Sequence, residues 1–367
     1  MTAAVSRLIA PRRETLIAGG LAFAGAALLV ALAPPTGDAP AHLYRTLLVE
    51  EGVYVWDNLW YGGHYPLASY SLLYYLPAAL VGNLPLVFAA VVVSAVLFAS
   101  IVEREWGAAG HWPARAFAVL AAGPIFVGTY SYALGLAAGL GALRLLQSDR
   151  RWLAAGAAAL TLGFSPLAFV FLCIVLVALA LVRRVGPHAV AFVAALAGIA
   201  AVQLAALVFF PSSGPYPFRA LELVAVLTVS VLGAELARRA RRGAILCAFF
   251  LVWGATSIAM FVVSTPVGEN LTRLRSVVFP VMLMTAFVAR FRPRWLTALA
   301  LTAALVYNVA PYAGAALDRT DVRAAERTFW APAVTFLAER STPNYRVEVV
   351  PTFDHWEAYW LPRAGIP

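Results

Sequence analysis

Long apolar runs, broken by short polar or arginine-bearing stretches, dominate this chain. They fall at residues 15–33, 84–102, 113–128, 131–147, 152–164, 166–182, 187–210, 219–236, 243–263, 275–289 and 295–312. Most approach the roughly 20 residues that a helix needs to cross a bilayer; the run at 152–164 is short. The first run follows Arg7, Arg12 and Arg13. It exceeds the apolar region of a secretory signal, about 7–15 residues. It therefore predicts an uncleaved first helix with a cytoplasmic N-terminus.

One further apolar segment, Pro66–Gly82, is ambiguous between a crossing and an interfacial layer. Arginine placement arbitrates. If the segment does not cross, Arg144/Arg150/Arg151, Arg183/Arg184, Arg238/Arg239/Arg241/Arg242 and Arg290/Arg292/Arg294 all fall on the cytoplasmic side. The positive-inside rule asks for that arrangement. The expectation is eleven spans, N-terminus inside and C-terminus outside, with Tyr65, Tyr70, Tyr74 and Tyr75 near the outer interface. Acids then sort by side: Asp38, Glu50, Glu51, Asp57, Glu222, Glu269 and every acid from Asp318 onward lie outside. Glu14, Glu103, Glu105, Asp149 and Glu235 lie inside. Carboxylate chemistry is thus expected on the extracytoplasmic face.

Composition agrees and narrows the class. Hydrophobic residues make up 62% and charged residues 12%, half the charge of a typical soluble domain at about 25%; mean hydropathy is +0.81. A soluble Rossmann enzyme, a DNA-binding domain and a disulfide scaffold are excluded. All 27 basic residues are arginine, and the net charge is +9. In a membrane protein the distribution of that charge matters more than its sum. The inner clusters act as topology signals and touch anionic lipid, so no nucleic-acid partner is implied. Cys173 and Cys247 sit mid-way along apolar runs as small core residues.

The predicted fold class is an all-α polytopic membrane protein. It has a long first extracytoplasmic loop (34–83) with interfacial helices and a small mixed C-terminal extracytoplasmic segment. Residues 1–314 form the membrane domain. Residues 315–367 read as a helix near 321–340 and a strand around Tyr345–Val350. This tail is expected to begin a soluble domain that the chain as given would cut short. No internal repeat is evident, which disfavours a transporter of duplicated halves.

Candidate chemistry gathers at the outer face. Asp38 stands about five residues past the first span, at the membrane surface. If it opens a short helix, His42 lies one turn on along the same face. Asp38 can equally serve as a helix N-cap, with Pro40 tolerated in the first turn. Downstream, Trp56-Asp57-Asn58-Leu59-Trp60-Tyr61-Gly62-Gly63-His64-Tyr65 mixes aromatic faces suited to sugar rings with polar groups suited to hydroxyls. Asp57, Asn58, Trp60, His64 and Tyr65 are candidate substrate contacts, and an aromatic belt anchoring the loop is the plainer alternative. Asp38, His42, Asp57 and His64 could gather round a divalent cation, but their spacing matches no strong ligand signature.

The order of these parts resembles the C-type (GT-C) integral-membrane glycosyltransferases: a first span, a long outer loop opening on an acid, many spans, a distal outer segment. That superfamily includes the oligosaccharyltransferase catalytic subunits, the protein O-mannosyltransferases and the mycobacterial arabinofuranosyltransferases. Asp38-Ala39-Pro40-Ala41-His42-Leu43-Tyr44-Arg45 is similar to the acidic first-loop motif of the oligosaccharyltransferases. The Asp-to-Arg spacing differs by one residue, and His42 is an addition, so only Asp38 carries over. The paired acids of several branches are absent, which leaves acceptor and metal open. The wider pattern, through Trp56–Pro66, also resembles uncharacterised actinobacterial membrane proteins related to this superfamily.

The resemblance implies transfer of a sugar from a polyprenyl-phosphate donor to a glycan, lipid or protein acceptor of the cell envelope, at the plasma membrane. Asp38 would be the general base, with His42 an orienting partner or second base. A departing phosphate needs cationic stabilisation. Glu269, Arg273 and Arg275, in the outer loop Ser264–Arg275, are the candidates, because guanidinium forks suit phosphate oxygens. Arg273 and Arg275 are two apart and point to different faces of a helix. Pairing with Glu269 or snorkelling to headgroups is the plain alternative, and Arg219 with Glu222 makes a structural pair nearby. No phosphate-cradling glycine loop or nucleophile elbow is present. The rival function is a multi-pass transporter or lipid flippase, which polar residues deep in several spans would favour. The spans are nearly free of them. A non-catalytic scaffold whose outer tail binds partners is a third.

Overall fold

The structure is a computed structural model that describes residues 13–32, 36–55, 70–183, 187–210, 216–318, 322–342, 344–345 and 347–366. Among these, regular structure is helical throughout. The helices are α1 (Arg13–Leu32), α2 (Ala39–Glu50), α3 (Tyr75–Val81), α4 (Asn83–Trp106), α5 (His111–Leu120), α6 (Gly123–Val127), α7 (Tyr130–Leu146), α8 (Arg151–Phe164), α9 (Pro166–Val182) and α10 (Pro187–Phe209). After them come α11 (Ala220–Arg238), α12 (Ala244–Val262), α13 (Arg275–Val288), α14 (Arg294–Asp318), α15 (Arg327–Ala338) and α16 (Glu357–Arg363). Six helical stretches are long and apolar enough to cross a membrane, and α7, α9 and part of α10 are shorter apolar helices.

Helix is the form these runs must take where water is absent, because every backbone group then bonds within its own segment. Stray hydroxyls follow the same rule: Thr161, Ser257 and Thr285 each donate to the carbonyl four residues back, at 2.8–2.9 Å. Helices meet through small residues. Ala18, Ala22 and Ala26 form a fully buried stripe on α1, while Leu16, Leu28 and Leu32 on the same helix are exposed. Close backbone approach through alanine and glycine is how helices associate where the solvent is itself apolar.

Neighbour contacts give the directions. As the chain advances from Gly19 to Phe23, its partner on α4 retreats from Val96 to Phe88, so α1 and α4 are antiparallel. The chain then turns about Gly107, whose φ of +63° suits glycine. Phe98 stacks on Phe117 at 4.2 Å across the resulting hairpin. The stretch Asn83–Val127 therefore folds back on itself. The expected helix at 113–128 is two pieces: α5 ends at Leu120, and α6 starts with Pro124 in its first turn and stops at left-handed Gly128.

The bundle consequently has two ends. Glu14, Arg115, Glu105, Arg183 and Arg144 gather at one, joined there by Trp106, whose indole donates to the Arg242 carbonyl. Asp38, Asn83, Gly128 and Arg273 gather at the other. Asn83 donates to Thr46 Oγ1 and accepts from Tyr74. The described part of the ambiguous segment, residues 70–82, thus stays at the Asp38 end.

The C-terminal tail departs from expectation in two ways. Its helix is α15, preceded by a 3-10 turn at Arg323–Ala325. Residues 347–350 form no strand: Val347 and Val349 lean on the core and Val350 is 87% exposed. The alternation is real, but a strand needs a ladder partner, and the described residues offer none. The tail then returns to the bundle, where α16 packs on α2 and buries Trp356, Leu361 and Ile366.

Candidate functional site

Asp38 occupies the N-cap position of α2 with Pro40 in the first turn, yet its side chain makes no capping bond. Its backbone N–H donates instead to the Val127 carbonyl at 3.2 Å. That docking requires Gly128, which has φ +87°; a Cβ there would lie 2.6 Å from the Ala39 nitrogen. The α6–α7 corner is therefore a seat for the Asp38 turn. The freed carboxylate reaches Arg273, 2.8 Å from Oδ2 to Nη1, with the two side chains 38% and 36% exposed. Two segments singled out separately in the sequence meet here.

His42 does not join them. It lies on the buried face of α2, ringed by Tyr74, Tyr75 and Tyr130 at centroid distances of 5.6–5.9 Å. Its Nδ1 pairs with the Tyr75 hydroxyl at 3.0 Å. Burial pushes its pKa down to about 4, against a smaller upward pull from Asp38. The imidazole is neutral and fixed by its neighbours. One turn of helix rotates His42, the expected orienting partner or second base, into the tyrosine cluster. Tyr74 and Tyr75, expected at the interface, are buried members of that cluster; Tyr70 is partly exposed and accepts from Arg45 through its carbonyl.

The second half of the site is a 3-10 turn at Gly268–Leu274 leading into α13. Tyr216 N–H donates to the Thr265 carbonyl and Gly268 N–H to Thr265 Oγ1, which ties the loop before α11 to this turn. Glu269 is buried and takes both the backbone N–H and the guanidinium of Arg219, at 2.6–2.9 Å. This fully paired carboxylate is a clamp between loops. The expected Arg219–Glu222 pair is the looser one, at 3.8 Å. Arg273 and Arg275 do face apart: Arg275 lies 3.7 Å from Glu222, and its carbonyl accepts from Asn308.

Asp57, Asn58, Trp60, His64 and Tyr65 lie outside the described residues. Among the described residues, no three His, Cys, Asp or Glu side chains gather as a metal-binding set. Sequence reasoning missed Gly128, Thr36 and Tyr130, whose hydroxyl bonds the Thr36 side chain. The glycine at 128, next to an apolar run, was the one available hint.

Beneath Arg273 the interior is apolar. A cavity of about 170 Å³ is lined by Leu274 and Val277 near the site and by Phe98 and Trp106 toward the far end. The site combines an accessible carboxylate with a guanidinium beside it; neither side chain is part of the wall of the hollow, which starts at the next residue, Leu274. A carboxylate can accept a proton; a guanidinium can hold an anion. No family model, curated protein or solved structure matches the chain.

Proposed function

We propose that this protein is a membrane glycosyltransferase that moves a sugar from a polyprenyl-phosphate donor to an extracytoplasmic acceptor. The observation that carries the proposal is the half-exposed Asp38–Arg273 pair, assembled from segments 235 positions apart at one end of the bundle. In the reaction, the acceptor hydroxyl gives its proton to Asp38 as its oxygen bonds to the anomeric carbon. The bond from that carbon to the phosphate oxygen breaks, and the electron pair leaves with the phosphate. Arg273 stabilises that anion, and the apolar hollow below Leu274 suits a prenyl chain. Glu269, Arg219 and Arg275 hold the loop that presents Arg273.

The orientation belongs to the same proposal. The end carrying Arg144, Arg183 and Arg242 is cytoplasmic, and the Asp38 end is extracytoplasmic. The chain crosses the plasma membrane eleven times, and its tail lies outside over α2. The charge asymmetry between the ends supports this assignment.

The test is transfer from a broad panel of radiolabelled polyprenyl-phosphate sugars to cell-envelope acceptors, by purified protein in lipid. Wild type transfers label, and Asp38→Asn, folded to the same thermal midpoint, does not. Flux of the lipid across vesicles without any covalent product would replace this reading with a transporter or flippase.

A further inference from the structure

A second cavity, about 430 Å³, lies where the tail meets the bundle. Its wall includes Leu29 at the outer end of α1, Thr36 and Ala39 on either side of Asp38, Tyr130, and Glu326 and Trp356 of the tail. It does not include Arg273 or Leu274 and is separate from the hollow beneath them. The volume falls in the range of pockets that hold small molecules, roughly 300–1,000 Å³, and so does the mixture of apolar walls with a few polar groups.

Apolar side chains are exposed beside the cavity. Leu84, in its lining, is 44% exposed, and Leu28, Leu32, Leu80 and Val81 on the adjoining helix ends are exposed as well. A lipid chain could enter there without crossing water. The chain alone earns no selectivity, since bilayer and cavity are equally apolar. Selection falls to the head. The polar lining groups are the Thr36 and Tyr130 hydroxyls, which bond each other, the Glu326 carboxylate and the Trp356 indole, whose N–H has no partner. A hydroxyl head can donate to the carboxylate and accept from the indole, whereas a phosphate or carboxylate head meets the Glu326 charge.

We infer that this cavity binds an uncharged, hydroxyl-bearing amphiphile, with its chain toward α1 and its head beside the turn that carries Asp38. Resting on the transfer reading above, that amphiphile is the acceptor class: a lipid alcohol or the sugar head of a neutral glycolipid. The tail closes one wall of the cavity, so the acceptor site is shared between the membrane domain and Val322, Ala325, Glu326 and Trp356.

The test uses hexadecan-1-ol bearing a chain diazirine, photolysed with the full-length protein in nanodiscs and mapped by mass spectrometry. Adducts concentrate in peptides containing residues 29–43 and 322–326. Filling the cavity with Val322→Trp, or independently with Ala325→Phe, lowers labelling there at least fivefold and leaves adducts on α10 unchanged. The matching hexadecanoate labels the cavity at least fivefold less than the alcohol. Labelling spread evenly over the lipid-facing helices, or equal labelling by alcohol and carboxylate, would overturn the inference. A failure of transfer with cavity labelling intact sinks the glycosyltransferase reading and the acceptor role alone. Transfer to a lipid alcohol that both filled variants leave unchanged sinks the acceptor role while the transfer reading stands.

Discussion

The two ends of the bundle use the same residue types to opposite effect. At one end Glu14 is buried and grips Arg115 through both oxygens, at 2.7 and 3.0 Å, with His111 3.8 Å away. At the other, Asp38 touches Arg273 through one short contact, and each side chain is more than one-third exposed. The first pair ties two parallel neighbours, α1 and α5, where the chain is already close-packed. The second bridges two separate loop segments. A bidentate pair with a buried carboxylate resists exchange, whereas a single contact with both side chains exposed lets an anion take the arginine and leave the carboxylate free. Geometry of pairing, rather than residue identity, separates a fastening from a site.

The largest effect that separates the ends is on turnover. Asp38→Asn keeps the size and most of the hydrogen-bonding capacity of the side chain. It is expected to lower transfer by roughly 10²–10⁴-fold, the range for loss of a general base, with a thermal midpoint within a degree or two of wild type. Glu14→Ala should do the reverse. It removes a bidentate tie between α1 and α5, so the midpoint falls while the turnover of the surviving folded protein holds. A transfer defect in Glu14→Ala as large as that of Asp38→Asn would erase the distinction between the ends.

How far these ends were legible before the fold was known follows from the range of the interactions. The apolar runs are local properties, and they reappear as helix, the one at 113–128 as two pieces. Asp38 and Arg273 were visible as charged residues in segments between apolar runs. Their meeting was not visible, since it depends on Gly128 admitting the Asp38 turn. The surroundings of His42 were hidden for a related reason. Helical spacing puts it near Asp38 along the axis, but only the packing of α3 and α7 shows that its ring faces tyrosines. The strand expected at Tyr345–Val350 failed because alternation specifies a face and does not supply a neighbouring strand.

The seat of Asp38 offers a smaller and more local test. Gly128→Ala places a methyl group 2.6 Å from the Ala39 nitrogen in a backbone held at φ +87°. Left-handed backbone costs a non-glycine residue about 1–2 kcal/mol, and the Asp38 turn must also retreat. Transfer should fall roughly tenfold, since a misplacement near 1 Å costs up to about 10²-fold. Gly156→Ala, inside α8 with open space around it, should leave activity unchanged and stability equal or slightly raised, and serves as the control. Equal behaviour of the two variants would remove Gly128 from the account.

The smallest expected effect concerns His42, which lies at the site end but behaves as core. Its pKa is held down to about 4 from an ordinary 6.5 by burial. A depressed folded-state value means that the buried neutral ring stabilises the protein fully above pH 6.5. That stabilisation drains away as pH falls from there through 4. By about pH 5.5 the loss is roughly 1 kcal/mol, read as a decline in thermal midpoint between pH 7 and pH 5.5. His42→Phe has no proton to take up, so its midpoint should fall less over the same interval while its transfer activity stays within a few fold of wild type. If His42→Phe abolished transfer with its midpoint unchanged at pH 7, the ring would belong to the chemistry with Asp38. The boundary between site and core would then move one turn along α2.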